Sequence, residues 1–373
     1  INCKICFMKI GRSKLYMENF LEKITLIIPS LSPDEHLIKY VNQLIQYGFI
    51  NIIVINDGSE AKYEEIFETL NKYKQVVVLK HAVNQGKGRA LKIAFHYYLN
   101  EIINKNNSIG VVTADADGQH APEDTYEVAK TLYRCREFLI LGTRDFNEEI
   151  VPFKSRYGNK ITSLMFKILF GGDTIHDTQT GLRGIPNNQI IDYLSLEGER
   201  FEYEINMLIK ARKKYLIKEV KIKTLYANGN RETHFNAVKD SLKIYSIMFR
   251  QFITFVVSSI SSLIVDLLLF NLFLTIIRSY FDISLSIILS TIFARIISSL
   301  FNYTLNKNIV FETSKKNMIV YYYMLCIIQM FCSAALTSIL NSTFPINVNI
   351  VKVIVDFFLF CISFQIQSKI IFK

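Results

Sequence analysis

Two aspartates one residue apart stand at the end of an apolar run near the middle of the chain. Residues 111–114 lead into Asp115 and Asp117, with Ala116 between them. In an extended segment alternate side chains point to the same side, so the two carboxylates can converge on one hard cation. Mg²⁺ and Mn²⁺ prefer such oxygen ligands and bridge them to the phosphates of a nucleotide. A lone pair of this kind also fits a solvated acidic turn, so its surroundings must decide between the two interpretations.

The surroundings indicate an α/β unit. Helices are predicted over 34–47 and from about residue 88, where Leu91, Phe95 and Tyr98 share one face. Strands are predicted at 24–28, 52–55, 76–79, 109–112 and 138–141. Because these strands are continuously apolar and alternate with helices, we expect a mainly parallel sheet that is covered on both faces.

Asp57 ends the second predicted strand, as Asp115 and Asp117 end the fourth. Ligands of such sheets bind beyond the carboxyl ends of the strands, so all three carboxylates can share one crevice. Asp57 also suits a plain Asn-Asp-Gly turn. Segment 86–91 fails as a dinucleotide fingerprint because Leu91 stands where the third glycine is required, and no P-loop motif occurs. A dehydrogenase or a P-loop NTPase is therefore disfavoured.

Charge and cysteine usage indicate a protein that handles phosphate near anionic lipid in a reducing setting. The net charge of the 373 residues is +10, and the cations are dispersed, without the recognition helix or basic aromatic run of a nucleic-acid binder. Cys3 and Cys6 have redox or zinc spacing, but no second pair follows them. We expect no disulfides and no nucleic-acid partner.

Four long apolar stretches in the last third of the chain indicate a membrane domain. They are residues 253–277, 285–299, 319–340 and 350–371. A bilayer span needs about 20 mostly apolar residues, and these stretches have too few polar faces for the alternative, a soluble bundle.

Three segments follow from this division. We expect an N-terminal extension over 1–22, an α/β domain over 23–245 and an all-α four-helix membrane domain over 246–373. No cleavable signal peptide is recognisable, and Met17 would make a natural start, so residues 1–16 are expected to have no functional role.

The α/β segment resembles glycosyltransferase family 2, and most of all its branch of dolichol-phosphate mannose synthases and GtrB proteins. The matching motifs are Ile27-Ile28-Pro29, Ile55-Asn56-Asp57-Gly58-Ser59, Asn84-Gln85-Gly86-Lys87-Gly88 and Asp115-Ala116-Asp117-Gly118-Gln119, followed by segments 142–146, 155–159, 177–184 and 199–204. The resemblance covers roughly 23–245. It departs at 30–35, where many relatives have Tyr-Asn-Glu directly after the proline, so Glu35 lies further along.

The resemblance implies a GT-A type fold that binds a UDP- or GDP-linked sugar. It assigns the nucleoside to Pro29, Glu35, Asp57 and Asp115, and the donor phosphates to a loop containing Arg231. It assigns Mg²⁺ or Mn²⁺ to the motif that supplies Asp115, Asp117 and Gln119. His120 is expected to lie just behind the metal ligands.

The implied acceptor is a polyprenyl phosphate of the undecaprenyl type. A phosphate monoester already carries a nucleophilic oxyanion at neutral pH, so the site needs charge compensation more than a general base. Arg144 and Arg156 fit that task, with surface salt bridging as the alternative. Direct attack would invert the anomeric carbon, and Asp117, Arg144 and Arg156 are the expected catalytic residues.

A sugar pocket is expected at Asp177, Gln179 and Arg183. A purely structural turn is the alternative for this segment.

The membrane segment resembles the GtrA family. The matching features are Asp266, Arg295 and Asp356 inside the spans and the motifs at 302–311 and 364–372. Intramembrane charges are costly and normally have partners, so we expect Asp266 or Asp356 to pair with Arg295. The resemblance implies a role in moving a lipid-linked sugar across the bilayer. A structural ion pair, and a homo-oligomer formed through this domain, are open alternatives.

Two rival functions remain open at this stage. One is a family 2 transferase that acts on another acceptor and uses its membrane part only as an anchor. The other is a non-catalytic scaffold, which the intact Asp57, Asp115, Asp117 and Gln119 argue against. The positive-inside rule predicts a multi-pass protein of the cell membrane with the catalytic domain and both termini in the cytoplasm, because the basic residues flank the corresponding spans.

Overall fold

The computed structural model describes residues 20–104, 107–146, 153–223, 239–313, 318–343 and 347–372. Arg231 and the loop around it lie outside the described residues, as do residues 1–19. The chain divides into two compact units between Ile247 and Met248, and this division falls within one long helix.

The first unit is built on a seven-stranded sheet. Its strands are β1 (Ile24–Ser30), β2 (Ile52–Asn56), β3 (Val76–Lys80), β4 (Gly110–Thr113), β5 (Phe138–Arg144), β6 (Arg183–Pro186) and β7 (Leu216–Ile222). They lie in the order β3-β2-β1-β4-β6-β5-β7. Only β6 runs antiparallel to its neighbours β4 and β5, whereas the pairs β1–β2, β1–β4, β2–β3 and β5–β7 are parallel. The predicted mainly parallel sheet is confirmed.

Helices of the first unit lie between the strands. They are α1 (His36–Tyr47), α2 (Glu64–Asn71), α3 (Lys87–Tyr97), α4 (Pro122–Arg134), α5 (Phe153–Phe170), α6 (Asn187–Leu194) and α7 (Glu202–Lys214). Every residue of β1 is buried, as expected for a continuously apolar strand that is covered on both faces. Leu91, Phe95 and Tyr98, the predicted face around α3, are buried as well.

Within the described residues, four helices form the second unit, and the first of these helices starts in the first unit. They are α8 (Lys239–Ile277), α9 (Ile283–Leu305), α10 (Ile319–Thr343) and α11 (Val348–Ile366). Each contains a window that is long and apolar enough to cross a membrane. A π-helical turn extends α9 over Asn306–Val310, and another extends α11 over Gln367–Ile371.

Polar side chains join these four helices to one another. Asn306 accepts a hydrogen bond from Ser258 of α8 (2.8 Å) and donates one to Gln367 after α11 (3.0 Å). Tyr322 of α10 donates to Asn302 of α9 (3.0 Å). Because water is absent from the hydrocarbon region, such groups must satisfy one another. The motifs at 302–311 and 364–372 therefore have a structural use in the bundle.

The charged side chains in the spans are also paired. Arg295 Nη2 lies 3.3 Å from Asp266 Oδ2, and Ser298 donates to the other oxygen of Asp266 (2.7 Å). Asp356 instead lies 2.9 Å from Lys352, one turn away on α11, and accepts a hydrogen bond from Ser333 (2.5 Å). Of the two expected partners of Arg295, the structure selects Asp266.

Candidate active site

A cavity of about 1160 Å³ opens at the carboxyl ends of four parallel strands of the first unit. Ser30, Asp57, Asp115 and Arg144 end or follow β1, β2, β4 and β5, and all four line the cavity. This is the edge at which parallel sheets bind their ligands. The volume slightly exceeds the roughly 300–1,000 Å³ of usual small-molecule sites, which leaves room for two substrates side by side.

Asp115 is held between two basic side chains. Lys87 Nζ lies 2.6 Å from its Oδ1, and His120 Nε2 lies 3.3 Å from its Oδ2. Burial alone would raise the pKa of Asp115, but the charges and hydrogen bonds of Lys87 and His120 lower it well below its usual range. The carboxylate therefore stays ionised at neutral pH, and His120 lies behind the carboxylate pair as expected.

Gly181 makes room for that carboxylate. A Cβ at this position would lie 2.3 Å from Asp115 Oδ2, which is closer than non-bonded atoms approach. Thr113 donates a hydrogen bond to the Gly181 carbonyl (2.8 Å) and fixes the two segments together. Gly181 is thus required by the position of Asp115, which follows β4.

The second aspartate of the pair has a different environment. Asp117 Oδ1 accepts a hydrogen bond from the backbone N–H of Gln119 (3.0 Å). Burial, and then the charge of Asp115, raise the pKa of Asp117. A divalent cation beside the two carboxylates would offset both effects.

The donor set suits a divalent cation that the substrate helps to bind. Within the described parts of the chain, no three His, Cys, Asp or Glu side chains are grouped to hold a metal. Asp115, Asp117 and Gln119 all line the cavity, and they offer only oxygen ligands of the kind that Mg²⁺ and Mn²⁺ prefer. These residues therefore fit an ion that completes its coordination with phosphate oxygens and water.

Asp57 fastens the loop that follows β3. It is buried, its Oδ1 lies 2.6 Å from His81 Nδ1, and it accepts backbone hydrogen bonds from Gln85 (3.0 Å) and Gly86 (2.8 Å). Its direct contact with a base or ribose stays a prediction.

Gly86 lets that loop approach the start of α7. Its φ is +100°, and a Cβ there would lie 2.4 Å from the carbonyl oxygen of Glu199. A side chain at residue 86 would therefore separate α3 from α7. The Asn-Gln-Gly-Lys-Gly motif is explained by this close contact between two helix starts.

Arg144 forms a bidentate pair with Asp177. Its Nε lies 2.7 Å from Oδ2 and its Nη2 lies 3.1 Å from Oδ1 of that carboxylate. Asp177 is fully buried, and only Arg144 of the two lines the cavity. Asp177 is thus placed to orient the guanidinium rather than to touch a ligand.

The other two residues expected in the sugar pocket lie in different environments. Gln179 lines the cavity, but Arg183 is buried in β6, where it donates to the carbonyl oxygens of Thr180 and Glu204. Contact with the sugar therefore remains a prediction for Gln179, while Arg183 fixes the backbone behind it.

Arg156 lies in the second turn of α5 and is half-buried. It is not among the described residues that line the cavity, although Asn159 and Thr162 of the same helix are. Arg156 therefore does not belong to the described cavity wall, and its contact with an acceptor phosphate stays a prediction.

At the other end of the cavity, Pro29 lines the wall, as the resemblance implies. Glu35 is exposed and is absent from the lining, whereas Asp34 contributes to it. Asp34 accepts a hydrogen bond from the backbone of His36 (2.9 Å). The altered spacing at 30–35 thus brings the preceding carboxylate to the cavity.

Several residues that line the cavity have no role predicted from the sequence. Lys87, Arg200, Phe201 and Glu204 all line it. Each stands in a motif that carries the family resemblance, which was the available signal. Their meeting could not be foreseen, because it depends on how α3 and α7 pack.

Two family models match the chain. The model described as glycosyl transferase family 2 matches residues 25–187. The model described as GtrA/DPMS, transmembrane domain, matches residues 254–372.

Several known proteins are similar to this chain. An uncharacterised protein of Methanocaldococcus jannaschii is 31% identical over 226 residues, which cover 58% of this chain and 87% of that protein. The UDP-N-acetylglucosamine–dolichyl-phosphate N-acetylglucosaminyltransferase of Methanococcus voltae is 31% identical over 225 residues, covering 54% of this chain and 86% of that protein. A dolichyl-phosphate β-glucosyltransferase of Trichomonas vaginalis is 22% identical over 244 residues, covering 60% and 72%.

Proposed function

The chain belongs to glycosyltransferase family 2, and we propose that it transfers a sugar from a nucleotide sugar to a polyprenyl phosphate at a membrane surface. The observation that carries this proposal is one cavity lined by Asp115, Asp117 and Arg144 in a chain with four candidate membrane spans. The name of the Methanococcus voltae relative, whose acceptor is dolichyl phosphate, supports a lipid phosphate as the acceptor.

On the donor side, Pro29, Asp57 and Asp115 form the nucleoside end of the cavity. Asp57 acts mainly by holding the backbone of Gln85 and Gly86 in place. Arg231, and Glu35 after a local rearrangement, are proposed to add contacts to the donor. The nucleotide is UDP or GDP.

Asp115, Asp117 and Gln119 are proposed to hold Mg²⁺ or Mn²⁺. When bound, the ion neutralises negative charge that builds up on the departing nucleoside diphosphate. Asp115, fixed by Lys87 and His120, and its neighbour Asp117 line the cavity at the proposed ion site.

The reaction is a direct displacement at the anomeric carbon. An oxygen of the polyprenyl phosphate forms the new bond to that carbon, and the bond to the nucleoside diphosphate breaks with its electron pair on the leaving group. The attacking phosphate is largely dianionic at neutral pH, so no base has to remove a proton. Attack from the opposite side inverts the configuration of the sugar.

Arg144 is proposed to hold the acceptor phosphate, because Asp177 fixes the plane of its guanidinium and planar guanidinium groups bind phosphate with two parallel hydrogen bonds. Arg156 is proposed to join it when the acceptor is bound. Gln179 is proposed to contact the sugar.

The segment 246–373 is proposed to act as a GtrA-like membrane domain that anchors residues 23–245 and translocates the lipid-linked sugar, with residues 1–22 as an extension. We further propose that catalysis takes place at the cytoplasmic face of the cell membrane. A homo-oligomer would form through the membrane domain.

Incubating membranes that contain the chain with radiolabelled nucleotide sugars tests the proposal. We expect label to enter the organic phase with one sugar, and to be absent with Asp117→Ala. Label that appears only in protein or in polymer would favour another acceptor and would overturn the proposal.

A further inference from the structure

Lys87 connects the aspartate motif to a helix that the proposed mechanism does not use. It is the first residue of α3, and its side chain lines the cavity. Its Nζ lies 2.6 Å from Asp115 Oδ1 and 3.0 Å from each carboxylate oxygen of Glu204 on α7. One ammonium group therefore bridges two carboxylates from different elements.

Other residues of α3 hold the start of this helix, and with it Lys87, in place. Arg89 and Lys92, further along α3, both form ion pairs with Glu199, at 2.7 and 3.1 Å. The backbone N–H of Arg89 also donates to the Glu199 carbonyl (3.0 Å). The start of α3 is thus fixed to the start of α7, while of these three cations Lys87 alone lines the cavity.

The charge of Lys87 is needed where it lies. Without it, Asp115, Asp117 and Glu204 would place three carboxylates on one cavity wall, and a nucleoside diphosphate would meet like charge. The Lys87 ammonium, 2.6 Å from Asp115 and 3.0 Å from Glu204, is the positive charge that offsets these carboxylates.

We propose that Lys87 is a positioning residue for the nucleotide-sugar donor. Its ammonium fixes the carboxylates of Asp115 and Glu204 and compensates their charge, so that the cavity accepts a nucleoside diphosphate instead of repelling it. This inference rests on the proposed function, since it assumes a nucleotide at this edge of the sheet.

Measuring nucleotide binding in the absence of a metal distinguishes a role of Lys87 in donor binding from a role in ion binding. The full-length chain in detergent is titrated in EDTA with UDP and, separately, with GDP. Removing a charge-assisted contact typically weakens binding by about tenfold or more. We therefore expect Lys87→Met to weaken binding about tenfold or more, and Lys87→Arg, which keeps the charge, to retain most of it.

Two further variants distinguish positioning from general stability. Arg89→Met removes another ion pair, between α3 and the segment just before α7, at a residue that does not line the cavity, and should change affinity by less than about twofold. Lys87→Met combined with Glu204→Gln should recover part of the lost affinity, because one uncompensated carboxylate is then gone.

The possible results separate the two proposals. Unchanged affinity in Lys87→Met, with only a lowered melting temperature, would make Lys87 a structural salt bridge and overturn the inference. Equal losses in Lys87→Met and Arg89→Met would do the same. A wild-type chain that binds neither UDP nor GDP, both in EDTA and after Mg²⁺ is added in excess, would contradict the proposed function as well.

Discussion

The orientation of Asp115 depends on two neighbours and on one missing side chain. Lys87 and His120 hold its oxygens from two sides, and Gly181 leaves the space in which the carboxylate lies. The sequence predicts that Asp115 and Asp117 act together, since their spacing is local. It cannot predict Lys87 and Gly181 as neighbours of Asp115, because they come from distant segments whose packing sets the geometry.

Gly181→Ala should disturb Asp115 without removing any functional group. The new Cβ would lie 2.3 Å from Asp115 Oδ2, so the carboxylate has to move by about 1 Å, and misplacements of that size reduce rates by roughly 100-fold. We expect a large loss of kcat/KM and a lower melting temperature. In an Asp115→Ala background the same glycine substitution should cost little stability, because the clashing group is absent. An equal loss of stability in both backgrounds would refute this account of Gly181.

Arg144→Ala and Arg156→Ala should raise the KM for polyprenyl phosphate more than the KM for the donor. Each substitution would remove a proposed charge-assisted contact to phosphate. Arg144→Lys should recover little, because a lysine cannot reproduce the bidentate geometry that Asp177 imposes. Titration of each substrate at saturating levels of the other measures both constants. A change confined to the donor constant would move these arginines to the donor side.

At the scale of elements, the strand ends were the predictable part of the site. The predicted strands 52–55 and 109–112 correspond to β2 and β4 within one residue at either end, because buried parallel strands form continuous apolar runs. The position of β6 could not be foreseen. It is a short antiparallel strand whose register against β4 brings segment 177–182 beneath the cavity.

The Asp266–Arg295 ion pair between two helices of the second unit can be tested by substitution. This pair and Ser298 join α8 to α9, and interhelical polar contacts in membrane proteins contribute about 1 kcal/mol. We expect Asp266→Ala and Arg295→Met each to lower the melting temperature in detergent, and the double variant to lose less than their sum.

Ser261→Ala is the matched control for this cycle, since among the described residues the hydroxyl of Ser261 donates to the carbonyl of Val257 in its own helix. It should leave the melting temperature nearly unchanged. Strictly additive losses for Asp266 and Arg295 would show that their contact contributes no coupling.

For the whole molecule, loop charge predicts how the chain crosses the membrane. Lys243 and Arg250 precede the first span, Lys307 and Lys315 follow the second, and Lys369 and Lys373 lie at the C-terminal end of the fourth, whereas residues 341–349 have no charge. From the positive-inside rule, we predict that both ends and the middle loop lie in the cytoplasm. An even number of spans agrees with this arrangement.

Cysteines at Ser314 and Ser342, in a variant that lacks the native cysteines, report the topology. A membrane-impermeant thiol reagent applied to intact cells should label position 342 and spare position 314, which lies outside the described residues. The reverse pattern would place the catalytic unit away from the cytoplasmic pool of nucleotide sugars.

The most direct measurement is sugar transfer by the purified chain to a defined lipid. Wild type and Asp117→Asn are reconstituted with a polyprenyl phosphate or with the matching polyprenol, and are given the labelled nucleotide sugar that was active in membranes together with Mg²⁺. We predict that wild type forms one lipid-linked sugar for each nucleoside diphosphate released, only with the phosphorylated lipid, and that Asp117→Asn forms none. Equal transfer to the polyprenol, or nucleoside diphosphate release without a lipid product, would contradict a polyprenyl-phosphate glycosyltransferase.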